Sequence, residues 1–264
     1  MAPRRTPRLP FRRRTGDPAP SDVERYLADY ILRYQNHCDN YLSRLANPEG
    51  KSVLVIGAGS GTEMLWAIRH GATEVIGIDV VVKPTEPLAL AMSELQIKQP
   101  PPYEILDLGV DEVETLGRRF DLVLSNNTFE HLPDIRSAFK AIRSVVEPQH
   151  GRVAIFTDPL FYSSYGAHLP IEPWDHLDHE AEELRAKTPE PYVWHEYEAL
   201  NKMTLISFLE AVREAEFVIL QLFVIADREL ARLPGRLAAI HSSAPVTDLA
   251  LEGIGIELML PPAI

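Results

Sequence analysis

The chain has 264 residues, 45% of them hydrophobic and 24% charged, with a mean hydropathy of -0.10: enough apolar surface for one sizeable α/β domain, but too little length for two full-sized ones. No apolar run approaches the roughly 18 residues needed to cross a bilayer, so no membrane partner is expected. A single cysteine, Cys38, excludes an intrachain disulfide framework and a cysteine-based zinc cage and points to a reducing cytoplasm, and a formal charge of -12 argues against a general nucleic-acid surface, which needs clustered cations.

Residues 1–20 stand apart. Arg4, Arg5, Arg8, Arg12, Arg13 and Arg14 against Asp17 give this stretch +5 and leave -17 for the remainder. Five prolines and few apolar residues predict a disordered arm, a solvated tail in preference to a targeting segment or an RNA contact. From Ser21 to Leu45, Val23, Tyr26, Leu27, Tyr30, Ile31 and Tyr34 recur at helical spacing behind Ser21 and Asp22 as caps. An amphipathic lead-in helix is expected, its tyrosines facing the core, although in many cofactor folds such a helix lies over the site.

Asn47-Pro48-Glu49-Gly50 breaks the chain, and Ser52 to Ile56 is an apolar run suited to a strand buried on both faces. A helix from about Thr62 to Arg69, a stop at Gly71 and a strand from Glu74 to Ile78 follow. Further strands are expected at Tyr103 to Leu106, Phe120 to Leu124 and Gly151 to Phe156, with helical segments between several of them. This alternation predicts right-handed βαβ units in a Rossmann-like, doubly wound, mostly parallel sheet. Aromatics, histidines, acids and prolines then interrupt it over about 159–200, which reads as an inserted lid. A helix from Lys202 to Glu216, a strand from Phe217 to Ile225 and a last run from Gly253 to Leu260 complete seven strands, the final two forming an antiparallel edge. Residues 21–264 are thus expected to make a single domain.

The chemistry concentrates after the first strand. In Val53-Leu-Val-Ile-Gly57-Ala58-Gly59-Ser60-Gly61-Thr62, three glycines follow a buried strand and open a helix, so the turn can be tight and the backbone N–H groups can approach a ligand. Asp79 stands at the tip of the second strand, where a carboxylate can accept hydrogen bonds from both ribose hydroxyls. A dinucleotide fingerprint would place a sixth-position glycine where Thr62 stands, which disfavours a nicotinamide-dependent oxidoreductase. A third reading, a non-catalytic cofactor-fold module, would bind a partner or RNA through the Arg-rich arm.

From about Ser52 to Phe156, and more loosely to Leu260, the chain resembles the class I S-adenosylmethionine-dependent methyltransferases, especially the small-molecule, type 11-like branch built around a VLxIGxGxG loop. The resemblance implies S-adenosyl-L-methionine as cofactor. It places Gly57, Ala58, Gly59, Ser60 and Gly61 along the methionine and ribose portions, Asp79 and Val80 at the ribose, Asp107 and Leu108 beside the adenine, and Asn126 and Asn127 near the amino-acid part. Glu130-His131-Leu132 is similar to the E-H-L start of the helix after strand four. There His131 is a candidate general base, though a structural or cofactor-pocket role is expected first.

The acceptor should lie outside the carboxyl ends of strands four and five. Residues Thr157 to Leu177 resemble the P-x-Y-S-x-x-G-x-H…P-W-x-H-L stretch of some bacterial small-molecule methyltransferases, with Asn201-Lys202-Met203-Thr204 fitting the next helix start. His168 and His176, and less strongly His195, are candidate bases; Tyr162, Tyr165 and Trp174 are candidates for an aromatic substrate wall. His168, Asp175, His176, Asp178, His179 and Glu180 are close in sequence, but their spacing fits neither H-E-x-x-H nor H-x-x-E-H, so no metal is expected. The expected reaction is methyl transfer to a small molecule, oxygen ahead of nitrogen, on an acceptor such as a sugar or secondary metabolite.

Overall fold

A computed structural model describes residues 21–81, 84–188, 191–240 and 243–262; the Arg-rich arm lies outside the described residues. Ser21 starts α1 (Asp22–Arg33) through a capping box, its hydroxyl accepting from the Glu24 amide while the Glu24 carboxylate accepts from the Ser21 amide. The helical stretch expected over 21–45 divides at Tyr34 into α1 and α2 (Gln35–Tyr41), followed by a 3-10 turn at Leu42–Arg44. α1 buries Ala28 and Ile31, whereas Val23, Tyr26, Tyr30 and Tyr34 are exposed. The tyrosines therefore do not face the core as the periodicity suggested: a ring with a polar tip completes an apolar stripe without having to be interior.

The strands are β1 (Ser52–Ile56), β2 (Glu74–Asp79), β3 (Tyr103–Asp107), β4 (Leu122–Asn126), β5 (Arg152–Thr157), β6 (Val218–Ala226) and β7 (Leu251–Met259). Between them run α3 (Thr62–Arg69), α4 (Glu86–Glu94), α5 (Ile135–Val145), three short helices α6 (Asp175–Asp178), α7 (Ala181–Lys187) and α8 (Pro191–Ala199), and α9 (Leu205–Glu214). The seven strands pair in the order β3-β2-β1-β4-β5-β7-β6, parallel except for β7, which is antiparallel to both β5 and β6.

Alternating residues of the central strands feed two cores, one on each face. Leu54, Val123, Val153 and Ile155 pack with Phe139 and Ile142 of α5 and Phe208 of α9; Val53, Val55, Leu122 and Leu124 pack with Ile31 of α1, Trp66 of α3 and Leu88 of α4. Each such fully buried side chain contributes about 1.5–3 kcal/mol. The chain leaves β1 toward β2 and β3 on one side and returns to β4 on the other. The crevice where that order reverses, at the carboxyl ends of β1 and β4, is where a doubly wound sheet takes its ligand.

Candidate active site

The turn after β1 is held to β2 by the amides of Gly57 and Ala58, both donating to the Ile78 carbonyl at 2.9 and 3.0 Å, and it is closed by the Gly61 amide on the Ala58 carbonyl at 2.7 Å. Two glycines are dictated by this geometry. Gly57 has φ +71°, and a Cβ there would collide with the Thr128 side chain; Gly61 has φ +98°, and a Cβ would press on Leu88. Asp79 fastens the turn from the other side, its Oδ2 accepting from the Gly59 amide at 2.7 Å and its Oδ1 from the Val81 amide at 2.8 Å. A carboxylate has about four lone-pair sites, so acceptor capacity is left over for hydroxyl donors.

Behind the turn lies an acid that the sequence did not single out. Glu63, in the first turn of α3, is buried, and its Oε1 accepts from Asn126 Nδ2 at 2.9 Å. Burial pushes its carboxyl up to about 7, only partly opposed by hydrogen bonds from its backbone and from Asn126. The Asn126 Oδ1 is buried with no hydrogen-bond partner among the described residues. One acceptor, Asn126 Oδ1, is thus left without a donor beside the Glu63 carboxyl at the tip of β4, an arrangement suited to a cation.

These groups border a cavity of about 820 Å³. Its floor is Gly57 to Ser60, Thr62 and Glu63; Asp79 and Val80 lie on one side with Leu108 to Asp111, and Asn126, Asn127, Thr128, His131, Leu132 and Pro133 on the other. Tyr26, Leu27, Tyr30 and Tyr34 of α1 roof it, and Glu196 of α8 reaches it from the insertion. The roof is tied down by Gln35, which donates through Nε2 to the Ile31 and Thr62 carbonyls and accepts from Arg69.

The wall opposite Asp79 is a polar cluster. His131 sits in a 3-10 turn, Phe129–His131, clamped by Asn201: its Nδ2 donates to the carbonyls of Phe129 and Leu132 at 2.5 and 2.8 Å, and its amide donates to the Glu130 carbonyl at 2.8 Å. The imidazoles of His131 and His168 meet edge to face, with ring centroids 5.3 Å apart. Burial, and then the neighbouring His168, lower the His131 pKa to about 4; burial also lowers that of His168, so both rings are neutral near pH 7. Glu130 is 3% exposed and its Oε2 accepts from the Thr157 hydroxyl at 2.5 Å. Burial pushes its carboxyl up to about 8.

Of the residues singled out from sequence, Gly57 to Ser60, Asp79, Val80, Leu108, Asn126, Asn127 and His131 border the cavity, while Gly61 caps α3 just beneath it. Asp107 is exposed and stands in register with Asp79, but Leu108 rather than Asp107 lines the cavity. His168 backs His131 without lining it. His176 belongs to packing: it is buried against Phe161 and bonded through Nε2 to the Phe161 carbonyl at 2.7 Å, and burial lowers its pKa to about 4. The aromatic wall expected from Tyr162, Tyr165 and Trp174 is not at the cavity. Trp174 is fully buried with Leu233 and Leu249, Tyr162 packs against the same cluster, and Tyr165 lies under the Arg228 guanidinium. The cavity's aromatic surface comes instead from α1.

A family model described as a methyltransferase domain matches residues 27–222. The chain belongs to the class I S-adenosylmethionine-dependent methyltransferases. Among curated relatives of this methyltransferase, the ubiquinone biosynthesis O-methyltransferase of Pseudomonas syringae pv. tomato is 32% identical over 111 residues, which is 41% of this chain and 45% of that protein. That of Acinetobacter baylyi is 32% identical over 114 residues, 43% of this chain and 45% of that protein. The match thus spans about half the length of the curated relatives. In fold the chain is similar to a putative S-adenosylmethionine-dependent methyltransferase from Listeria monocytogenes, with TM-score 0.53, 13% identity, and 85% of this chain and 97% of that chain covered. It is also similar to geranyl diphosphate C-methyltransferase from Streptomyces coelicolor A3(2), with TM-score 0.56, 14% identity, and 93% and 86% covered. At such identities these structures speak for the fold alone. Among the described residues no helix is long and apolar enough to cross a membrane.

Proposed function

We propose that this methyltransferase methylates a hydroxyl oxygen of a small-molecule acceptor, a sugar or secondary metabolite, and holds its donor between the GAGSG turn and Asp79. The observation that carries the reading is the cavity of about 820 Å³, which joins the glycine turn and Asp79 at one side to the histidine wall at the other. The donor, when bound, supplies a sulfonium methyl open to in-line attack by the acceptor oxygen.

The residues present fit that donor. Asp79 has lone pairs to receive the ribose hydroxyls, and Leu108 and Val110 offer apolar surface for the adenine. The Glu63 carboxylate and the orphaned Asn126 Oδ1 suit the α-ammonium group. Tyr26, Tyr30 and Tyr34 exclude water from above, strengthening every polar contact beneath them. His131 faces the cavity at the acceptor end and helps to hold the acceptor hydroxyl in line. Positioning of this kind supplies much of the rate in a reaction with a reactive donor. Oxygen as the receiving atom is supported by the curated relatives named O-methyltransferases.

Calorimetric titration with S-adenosylhomocysteine and with NAD tests the donor assignment. S-adenosylhomocysteine should bind with one-to-one stoichiometry and NAD should not; stabilisation by NAD alone would restore the oxidoreductase reading. Labelled methyl transfer to a panel of phenols, glycosides and amines then tests the oxygen preference, which a signal confined to amines would overturn.

A further inference from the structure

Glu130, His131 and His168 place one carboxylate oxygen and one ring nitrogen from each imidazole within 4.8 Å of one another. Donors around an ion at ~2.1 Å bonds stand about 3–4 Å apart, so small side-chain rotations suffice to close the set. Two atoms of the trio are buried and unsatisfied: Glu130 Oε1 and His168 Nε2 have no hydrogen-bond partner among the described residues. A carboxyl oxygen that deep is costly to leave without a partner, and no arginine or lysine pairs with Glu130 among the described residues.

We propose that Glu130, His131 and His168 form a binding site for one divalent first-row transition ion on the acceptor wall of the cavity. Two imidazoles and one carboxylate suit manganese, iron, cobalt or zinc, whereas magnesium and calcium favour all-oxygen sets. The support around the trio is already built. Thr157 donates to the second oxygen of Glu130, and Asn201 clamps the turn that carries both Glu130 and His131.

Three protein donors leave coordination positions open, and His131 is the member that lines the cavity, so the open side faces the acceptor. Resting on the methyl-transfer reading, the ion's task is to take the acceptor hydroxyl oxygen and lower its pKa. The hydroxyl proton passes to solvent water, the oxygen forms the O–CH3 bond, and the C–S bond breaks with its electron pair going to sulfur. The products are a methyl ether, a neutral thioether and one proton.

A second trio, Asp175, Asp178 and His179, has comparable spacing but not the same electrostatics. Arg236 bonds both aspartates at 3.1 Å and Lys187 approaches Asp175 at 3.5 Å, so its negative charge is already met. Its charge is met without a metal ion, and it serves as the internal control.

The test is a Co²⁺ titration of the untagged, chelator-stripped full chain, followed by visible absorption and calorimetry. The wild type should bind one equivalent with a d–d absorption band. His168→Ala and Glu130→Gln should weaken binding by about 100-fold and Thr157→Val by about tenfold, while His179→Ala should leave it unchanged. S-adenosylhomocysteine binding, measured on the same samples, shows that each variant is folded. If His168→Ala does not fold, Thr157→Val decides by its weakened Co²⁺ binding alone. Wild-type protein that takes up no equivalent of Co²⁺, or binding that survives His168→Ala and vanishes in His179→Ala, would overturn the proposal. If Co²⁺ binds through the trio but S-adenosylhomocysteine does not bind, the ion site stands and the methyl-transfer reading falls.

Discussion

The two sides of the cavity are assembled in different ways. The side from Gly57 to Asp79 is made of backbone: a tight turn, left-handed glycines and amides fastened to one carboxylate, all within one βαβ unit. The wall opposite is made of side chains brought from β4, the turn after it, β5, the insertion and the segment leading into α9, and it is held together by Asn201 and Thr157. A backbone-built side tolerates no added Cβ at its glycines. A side-chain-built wall fails instead when a single polar partner is removed, and each side can therefore be broken without the other.

The largest effect is expected from Gly57→Val. The new side chain meets Thr128 in a strained left-handed conformation, and calorimetry should show S-adenosylhomocysteine affinity reduced by at least about 100-fold, with a stability loss of ~1–3 kcal/mol. Asp79→Ala comes next. It removes the acceptor of the Gly59 and Val81 amides together with the proposed ribose contact, and bonds to a charged group contribute ~1.5–3 kcal/mol each, so affinity should fall about 10- to 100-fold. Unchanged affinity in either variant would remove the donor from this side of the cavity.

Glu63 gives a smaller and pH-dependent effect. Its folded pKa of about 7 lies above the ordinary 4.5, so the free protein's stability from this group is fully present below about 4.5 and is lost as pH rises through about 7. An ammonium group beside it favours the ionised carboxylate, and ligand binding should therefore strengthen, by about tenfold, from pH 6 to pH 8. Glu63→Gln should flatten that profile; a slope that persists would assign it to another group. Asn201→Ala has the smallest expected effect on donor affinity, within about twofold, although lost hydrogen bonds should lower the unfolding free energy by ~1–3 kcal/mol in a denaturant titration. A large loss of donor affinity there would mean that the two sides are not independent.

The same division explains what could be read from the sequence. Buried parallel strands appear as plain apolar runs, and the glycine turn is a local signal, so β1, α3 and β2 fall within a residue of their expected bounds, and Gly57, Asp79 and Asn126 meet at one crevice. β4 begins two residues later than expected because Phe120 continues the apolar run yet makes only an isolated bridge to Val146. The wall was less legible because proximity along the chain is a poor guide to proximity in the insertion. Tyr162, Trp174 and His176 follow β5 closely but turn into packing, whereas Glu130 and His168 come together from separate segments. Glu63 carried no signal of its own: an acid in a helix reads as solvated until the strand beside it is known.

The most direct test of the donor assignment is a crystal structure of the chain with S-adenosylhomocysteine. The ribose hydroxyls should lie on Asp79, the α-ammonium between Glu63 and Asn126, and the sulfur should face His131 across the cavity. A ligand bound elsewhere, or one whose ribose does not touch Asp79, would contradict it.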